Sequence, residues 1–305
     1  MSHDIPKVSV GMPVFNAEQR LGAAVESVLG QTFRDLELII SDNASTDGTD
    51  AICREYAAKD PRVQYQRNAR NLGATENFNI VFRCARGQYF KWATSNDLCD
   101  PAFIDACVKV LEERHDTVVA FPGTRLVHPD SGDAENYNVR QDLLQERPSD
   151  RFRAFLERRR MNNQLYGLIR AEVLRKIPPL GNYFGSDLVL LAELALHGKF
   201  VELPDFLFFR RTDSSEVTMS REKYIRAYHD PELKSRMLYQ RWIFHRECFY
   251  ALLRTPLPLH EKLRVFRVVL QLFWKERGHL ARDLLEAGKA RSRSANSSGV
   301  KGGQI

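Results

Sequence analysis

The stretch that decides the fold runs from Tyr89 to Pro101 and reads YFKWATSNDLCDP. Its first four residues are mostly large and apolar, which favours a buried strand, whereas residues 94–97 are polar and need hydrogen-bond partners. A polar cluster directly after a buried strand is typical of the carboxyl edge of an open α/β sheet, where such sheets bind ligands. The alternative is an ordinary strand-turn-helix connection in which Asp100 caps the helix that follows.

Strand and helix patterns alternate through the first half of the chain. Buried strands are predicted at Val8–Met12, Leu36–Ile40 and Val63–Tyr65, each followed by a helix pattern of about three turns, and the strand at Tyr89 is the fourth. This order predicts an α/β fold with a doubly wound, mostly parallel sheet flanked by helices. Neither a dinucleotide-binding glycine motif nor a P-loop follows the first strand, so ligand binding is expected to rely on side chains.

The second half is less regular. After a strand at Val118–Pro122, the turn-rich residues from Thr124 to Asp150 are expected to form an acceptor-side or lid segment. Leu165–Ile169 and Phe206–Arg211 are predicted to return to the sheet. Helices are predicted over residues 150–160, from Asp187 onward, over 221–253 and over 260–286. The division expected is a nucleotide-sugar-binding half (1–123), an acceptor-binding and catalytic half (124–215), a C-terminal helical extension (216–290) and a disordered tail (291–305).

Composition limits the class of protein. The chain has 305 residues, 43% of them hydrophobic, which is ample for a large core. The N-terminus lacks a signal-peptide pattern and no apolar run is long enough to span a bilayer, so we expect a cytoplasmic protein. Its five cysteines lack the spacing of a zinc site or a disulfide framework and are interpreted as small buried hydrophobes.

Positive charge is concentrated in the C-terminal third. From Arg210 onward there are 20 Lys/Arg against 10 Asp/Glu, so this part carries +10 and the rest −4. Such a surface suits an anionic membrane or a phosphate-bearing acceptor, but we favour an ordinary solvated helix surface. An apolar stripe over Val265, Phe266, Val269, Leu270 and Phe273 predicts core packing or a homodimer in preference to peripheral membrane contact. No nucleic-acid partner is expected.

Three acidic clusters, at Asp42, Asp97 and Asp187, lie at predicted strand ends or at the start of a helix. Parallel strands bring such residues to one edge of a sheet. Together they suit a cation-assisted transfer in which one carboxylate reads a base or ribose, one holds a divalent ion and one removes a proton from an attacking hydroxyl.

Five segments resemble the successive motifs of glycosyltransferase family 2 enzymes of the GT-A fold. They are PKVSVGMPVFNAE, LELIISDNASTDGT, NLGATENFN, RGQYFKWATSNDLCDP and GSDLVLLAEL, and the resemblance covers roughly residues 6–215. It implies an inverting transferase that moves a sugar from a nucleotide-diphosphate donor to an acceptor hydroxyl on a glycan, a lipid-linked molecule or a small molecule.

The resemblance also implies donor-binding residues. Pro13, Phe15 and Asn16 match the residues that line the base pocket, and Asp42 matches the base-reading aspartate. A carboxylate accepts the N3–H of uracil, which favours a UDP-sugar, although Asp42 could instead cap a turn. Arg70 and Asn77 match positions at which the family contacts the nucleotide sugar or its phosphates.

The family's metal motif, D-x-D-D, aligns with Thr94, Ser95, Asn96 and Asp97. Ser95 and Asn96 fall where the donor and its ion bind, but an amide carries no charge. A weakened Mg²⁺ or Mn²⁺ site at Asn96 and Asp97 is therefore expected.

The catalytic positions follow from the same resemblance. Asp187 matches the catalytic base, and Arg210 and Arg211 match a basic pair that faces the diphosphate. If the base lies elsewhere, Glu193 is the next residue to test, although on a regular helix it points to a different side. Two other functions stay open. One is a degenerate nucleotide-binding module without transfer activity, suggested by Asn96. The other is a nucleotidyltransferase, which the missing glycine-rich, basic N-terminal loop disfavours.

Overall fold

The computed structural model describes residues 5–128, 131–157, 161–212 and 240–298, with side chains up to Leu285. The strands are β1 (Val8–Val14), β2 (Leu36–Asp42), β3 (Val63–Arg67), β4 (Tyr89–Trp92), β5 (Leu98–Cys99), β6 (Thr117–Val127), β7 (Ala134–Asn136), β8 (Leu168–Arg170) and β9 (Lys199–Arg211). The helices are α1 (Leu21–Leu29), α2 (Thr49–Lys59), α3 (Ala74–Arg83), α4 (Phe103–Glu113), α5 (Pro148–Glu157), α6 (Ala171–Leu174), α7 (Ser186–His197), α8 (Gln240–Arg254) and α9 (Leu259–Ser298), with a 3-10 helix at Asn163–Tyr166.

The strands form one sheet in the order β3-β2-β1-β4-β8-β6-β9-β5, with β7 paired to β6. Strands β1, β2, β3, β4, β6 and β9 run in one direction, and β5, β7 and β8 run against them. The predicted doubly wound, mostly parallel α/β sheet flanked by helices is therefore confirmed. Its parallel strands β1, β2 and β4 end side by side, which brings the loops that follow them to one edge.

The core lies on both faces of the sheet because the apolar side chains of each strand alternate between them. Val10 and Met12 of β1 face the layer that contains α1 and α4. On the opposite face α3 packs so closely that a Cβ on Gly11 would lie 2.7 Å from Val81 Cγ2. Glycine is thus required where α3 crosses β1.

Several predicted boundaries were wrong. Strand β6 continues to Val127 and pairs with β7, so the expected lid segment begins as ordered sheet. Strand β9 begins at Lys199, well before the predicted Phe206, because it pairs with β6 along most of its length. Only Leu168 and Ile169 of the predicted segment at 165–169 lie in a strand, since the residues before Gly167 form the 3-10 helix.

The C-terminal helices α8 and α9 form the predicted extension and pack on α5 and α7. Two polar links hold them: Ser149 N–H donates to Glu261 at 3.0 Å, and Arg254 pairs with Glu193 at 2.7 Å. Helix α9 reaches Ser298, so residues 291–298, expected to be disordered, are helical although half of them are serine. The first part of the helix predicted over 221–253 lies outside the described residues, as does the chain after Ser298.

Within the described ranges, no helix has both the length and the apolar content needed to cross a membrane.

Candidate active site

The loops that follow β1 and β2 are fastened to each other. Asn16 N–H donates to Ser45 Oγ at 2.9 Å, and Thr46 N–H donates to Asn16 Oδ1 at the same distance. Asn16 (φ 48°) and Ala44 (φ 61°) are both in the left-handed region, which is costly for alanine. The two loops therefore form one preorganised rim at the carboxyl edge of the sheet.

Asp42 lies at the base of this rim, at the end of β2, and has no exposed surface. Its Oδ1 accepts hydrogen bonds from the N–H and hydroxyl of Ser45, at 2.9 and 2.5 Å. Its Oδ2 accepts from the Tyr65 hydroxyl at 3.3 Å and lies 3.6 Å from the Arg67 guanidinium. A direct contact between this carboxylate and a base requires Tyr65 or Arg67 to move aside.

Asn77 is buried and ties α3 to the sheet. Its amide nitrogen donates to the carbonyl oxygens of Ser41 and Val14, at 2.8 and 3.3 Å, and its oxygen accepts from the Ser41 hydroxyl at 2.7 Å. The side chain also accepts from Asn68 at 3.2 Å. These four bonds use the hydrogen-bonding capacity of the amide. In this structure Asn77 therefore holds the site together, in contrast to the ligand contact predicted from the sequence.

The loop after β4 is organised around Thr94 and Asp97. The Thr94 hydroxyl donates to Asp97 Oδ2 at 2.8 Å, and the Arg211 N–H donates to Oδ1 at 3.0 Å. Burial raises the pKa of Asp97, and the hydrogen bond from Thr94 and the charge of Arg210 offset only part of that shift. Asp97 thus joins the end of β9 to the loop after β4.

The donor set for a divalent cation is poor. Asn96 Oδ1 lies 3.5 Å from Arg20 Nη1, a long hydrogen bond that brings a guanidinium to the amide, and both oxygens of Asp97 already accept hydrogen bonds. Among the described residues, no group of three or more His, Cys, Asp or Glu side chains could hold a metal ion. Because Mg²⁺ and Mn²⁺ favour several oxygen ligands, often charged, these residues do not fit a resident ion well.

Asp187 lies in the first turn of α7, which begins after Gly185, a glycine at φ 83°. Asn162 Nδ2 donates to Asp187 Oδ2 at 2.6 Å, and the next residue, Asn163, accepts a hydrogen bond from Arg210 at 2.8 Å. Two neighbouring asparagines therefore bring the predicted base and the predicted diphosphate-binding arginine to one place. Asn163 Nδ2 is buried with no hydrogen-bond partner in the part of the chain that the structure describes, so it could meet a polar group of a ligand.

Glu193, the second candidate base, does not face this site. Its carboxylate is buried and accepts two hydrogen bonds from Arg254 of α8, at 2.7 and 3.2 Å. It lies on another side of α7 from Asp187, since the two are separated by one and two-thirds turns. Its function here is to anchor α8.

The other predicted residues are partly or largely exposed. Phe15 is 48% exposed and follows β1, where Pro13 is half-buried. Ser95 is half-buried in the loop after β4. Arg70 is exposed and lines a cleft that also includes Asn182.

Sequence reasoning missed four residues that the structure brings to the site: Arg20, Arg67, Asn162 and Lys91. Arg67 could have been found, because it ends β3 and pairs in register with Asp42. Lys91 is fully buried on β4, where its ammonium donates to the Tyr166 carbonyl at 2.6 Å and lies 4.4 Å from the centre of the Phe103 ring. Nothing local in the sequence predicts partners so distant along the chain.

The mostly parallel sheet with polar residues at its carboxyl edge matches the GT-A type of glycosyltransferase fold, as comparison with solved structures shows. Staphylococcus aureus TarS 1–349 in complex with UDP superposes with a TM-score of 0.60 at 17% identity, covering 88% of this chain and 72% of that one. Mannosyltransferase PcManGT from Pyrobaculum calidifontis, in complex with GDP-Man and Mn²⁺, gives 0.55 at 15% identity, covering 97% and 79%. At these identities the likeness concerns the fold.

Residues 9–171 match the family model described as glycosyl transferase family 2, and the chain belongs to that family. It is 38% identical over 116 residues to the putative glycosyltransferase EpsE of Bacillus subtilis (strain 168), which covers 37% of this chain and 42% of EpsE. It is 36% identical over 104 residues to chondroitin synthase of Escherichia coli, covering 34% of this chain and 15% of that protein. The chain thus spans less than half the length of these relatives.

Proposed function

We propose that this protein is an inverting glycosyltransferase that moves a sugar from a nucleotide-diphosphate donor, with a UDP-sugar favoured, to an acceptor hydroxyl. The observation that carries the proposal is the connected set Asp187–Asn162–Asn163–Arg210, which joins a carboxylate to a guanidinium at the carboxyl edge of the sheet. Family membership supports the same class of reaction. The division into a donor half, residues 1–123, and an acceptor half, residues 124–215, is part of this proposal.

The nucleoside occupies the rim formed by the loops after β1 and β2. Phe15 offers an exposed aromatic face on which a base stacks, and Asn16 holds the two loops in register. Asp42 and Arg67 lie directly below. A base that displaces Arg67 from Asp42 gains a carboxylate acceptor for an N–H, which is the contact that favours uracil.

Asp187 acts on the acceptor. Its carboxylate takes the proton of the acceptor hydroxyl as the oxygen attacks the anomeric carbon, and the bond from that carbon to the diphosphate breaks on the opposite side. The proton ends on Asp187, the new glycosidic bond has the inverted configuration, and the electron pair leaves with the nucleoside diphosphate. Asn162 fixes the orientation of the carboxylate by its hydrogen bond to Oδ2.

The leaving diphosphate carries negative charge that the protein must offset. Arg210 and Arg20 are half-buried cations beside the loop after β4, held near Asn163 and Asn96 respectively. Positive groups fixed before the reaction stabilise developing charge without reorganisation. The weakened Mg²⁺ or Mn²⁺ site stays a prediction, and because the residues at Asn96 and Asp97 fit an ion poorly, no step above passes through one.

A donor screen tests the proposal. UDP-, GDP- and dTDP-sugars are compared for thermal stabilisation of the protein and for slow donor hydrolysis, and the best donor is then offered to glycan, lipid-linked and small-molecule acceptors. We expect one donor to stabilise and turn over, and the anomeric configuration of the product, read by NMR, to be inverted. A retained configuration contradicts the role of Asp187.

One observation favours a second candidate, a nucleotide-binding module without transfer activity. The acidic metal motif of the family is replaced by Thr94, Ser95 and Asn96, and the remaining Asp97 is already hydrogen-bonded on both oxygens. Nucleotide binding with no donor turnover in any divalent metal would support this candidate over the first.

A further inference from the structure

Helix α9 has two apolar faces; within the described residues one is buried against the protein and the other is largely exposed. Val265, Val269 and Leu280 face inward and are buried. A second row follows the helical repeat along the opposite side and is exposed, from Leu259 at 74% to Trp274 at 67%. Its members are Leu259, Leu263, Phe266, Leu270 and Trp274, called here the outer stripe.

The outer stripe continues onto α8. Phe249 of α8 contacts Phe266 of the stripe, with ring centroids 6.1 Å apart, and its neighbours Tyr250 and Leu253 are exposed. Two antiparallel helices therefore offer one continuous apolar surface. Contiguous exposed surface of this kind marks an interaction site in a folded protein.

Charge on α9 is sorted between the same two faces. The three acidic side chains described on α9 are each turned inward and paired: Glu261 with the Ser149 N–H, Glu276 with His245 and Asp283 with Arg241. The other charged side chains described on α9 are all basic; Arg267 and Arg277 lie beside the outer stripe, whereas Arg264 lies 3.7 Å from Glu261. The basic residues are Lys262, Arg264, Arg267, Lys275, Arg277 and Arg282.

We propose that the outer stripe and its basic border dock on an anionic lipid surface, with α9 lying in the plane of the bilayer interface. Leu, Phe and Trp on one side of a helix bordered by Lys and Arg is the arrangement that such interfacial helices use. The Arg277 guanidinium carbon lies 4.9 Å from the centre of the Trp274 ring. In the proposed orientation, this aromatic ring and this cation would lie together where lipid headgroups meet acyl chains.

A second copy of the chain fits the outer stripe less well. A symmetric dimer pairs a patch with itself, so the basic border of each copy, Arg267 and Arg277 included, would approach the basic border of the other, with no described acidic side chain of α9 on this face to compensate. The sequence favoured core packing or a homodimer for this helix; Val265 and Val269 do pack in the core, and for the outer stripe we favour peripheral membrane contact over a homodimer.

The experiment is co-sedimentation of the full chain with vesicles of phosphatidylcholine alone and of phosphatidylcholine mixed with phosphatidylglycerol. We expect binding to the mixed vesicles alone, weakening as salt rises. The double variant Leu270→Glu, Trp274→Glu should lower the bound fraction at least about tenfold. Arg267→Ala and Arg277→Ala should each lower the partition coefficient about fivefold. Leu144→Glu, a matched change at another exposed leucine, should bind normally.

Three results would overturn the proposal. One is equal binding of the stripe variants and Leu144→Glu. Another is a dimer of the wild-type chain, seen by sedimentation equilibrium, that the Leu270→Glu change dissociates. The third is a large loss of thermal stability in the stripe variants, since that would mean that residues 213–239 or 299–305 of the same chain cover the stripe. Normal stability with lost vesicle binding supports docking.

Discussion

Asn162 Nδ2 and Asp187 Oδ2 lie 2.6 Å apart, in a hydrogen bond between a loop and the first turn of α7. The amide donates and the carboxylate accepts, so Asn162 fixes the orientation of the group proposed to take the proton. Because Asn163 accepts a hydrogen bond from Arg210, the same loop also positions the proposed partner of the leaving group. In the proposed reaction, two adjacent amides therefore position both the base and the partner of the leaving group.

Asp187→Asn should lower kcat by at least about 100-fold, because an amide cannot accept the proton of the attacking hydroxyl. Donor affinity should change little, since the base acts only when the acceptor attacks. Steady-state kinetics and calorimetric titration with the nucleotide separate the two quantities. Near-normal transfer by the variant would show that the base lies elsewhere.

Asp42→Asn should weaken nucleotide binding by about 1–3 kcal/mol through loss of a charged acceptor. Asparagine keeps the volume of this buried site, so the measurement is cleaner than for alanine. The matched control is Asp47→Asn in the same loop. Asp47 accepts hydrogen bonds from Thr49 and from the Glu18 N–H. Burial alone would raise the pKa of Asp47, but the hydrogen bonds that it accepts outweigh burial, so the pKa is lowered. If the Asp42 variant loses thermal stability but keeps its affinity for UDP, the residue is structural only.

Excess chelator should reduce transfer only modestly, less than about tenfold, because the donor set at Asn96 and Asp97 holds an ion weakly and Arg20 and Arg210 are already in place. Asn96→Asp adds a carboxylate and should tighten Mn²⁺ binding, measured by calorimetry. Complete loss of activity in chelator, restored by Mn²⁺, would show that the wild-type site does depend on the metal.

Glu193→Gln should lower the free energy of unfolding by about 3 kcal/mol, the low end for a broken buried ion pair, because Arg254 is one-third exposed and keeps Glu247 at 3.7 Å. Urea unfolding measures it. The double variant Glu193→Gln, Arg254→Met should lose less, since both charges of the pair are then removed and Glu247 keeps Arg246 at 2.8 Å. The kcat of the folded single variant should stay normal, and a large fall would return Glu193 to the list of bases.

The sequence predicted the sheet well where structure is local. Strands β1, β2 and β4 are mostly apolar, with isolated polar residues such as Ser9, Glu37 and Lys91, and each is followed by a polar loop. Their order along the chain and the edge at which Asp42 and Asp97 lie therefore followed from pattern alone. Strands β8 and β9 were harder. The ends of β9 depend on pairing with β6, some eighty residues earlier in the chain, which no local pattern contains.

At the candidate site, the direction in which polar side chains point was the feature that the sequence predicted least well. Asp42 and Asn77 are polar residues at the expected loops, but each is turned inward by partners from other strands and loops. The sequence gives the residue type and its position, whereas the direction of the side chain depends on Tyr65, Ser41 and other distant groups. For the same reason the partner that occupies Glu193, Arg254 of α8, could not be predicted from the sequence.

Because Arg254 pairs with Glu193, the position of Asp187 on α7 is linked to the positions of helices α8 and α9. Asp187 and Glu193 lie about 9 Å apart along one helix, and Glu193 is clamped to α8, which packs on α9. Base and outer stripe therefore belong to one stiff unit, whose far end would rest on lipid. On such a support, Asp187 would stay at a constant height above the membrane plane, and only acceptors whose hydroxyl extends to that height could be glycosylated.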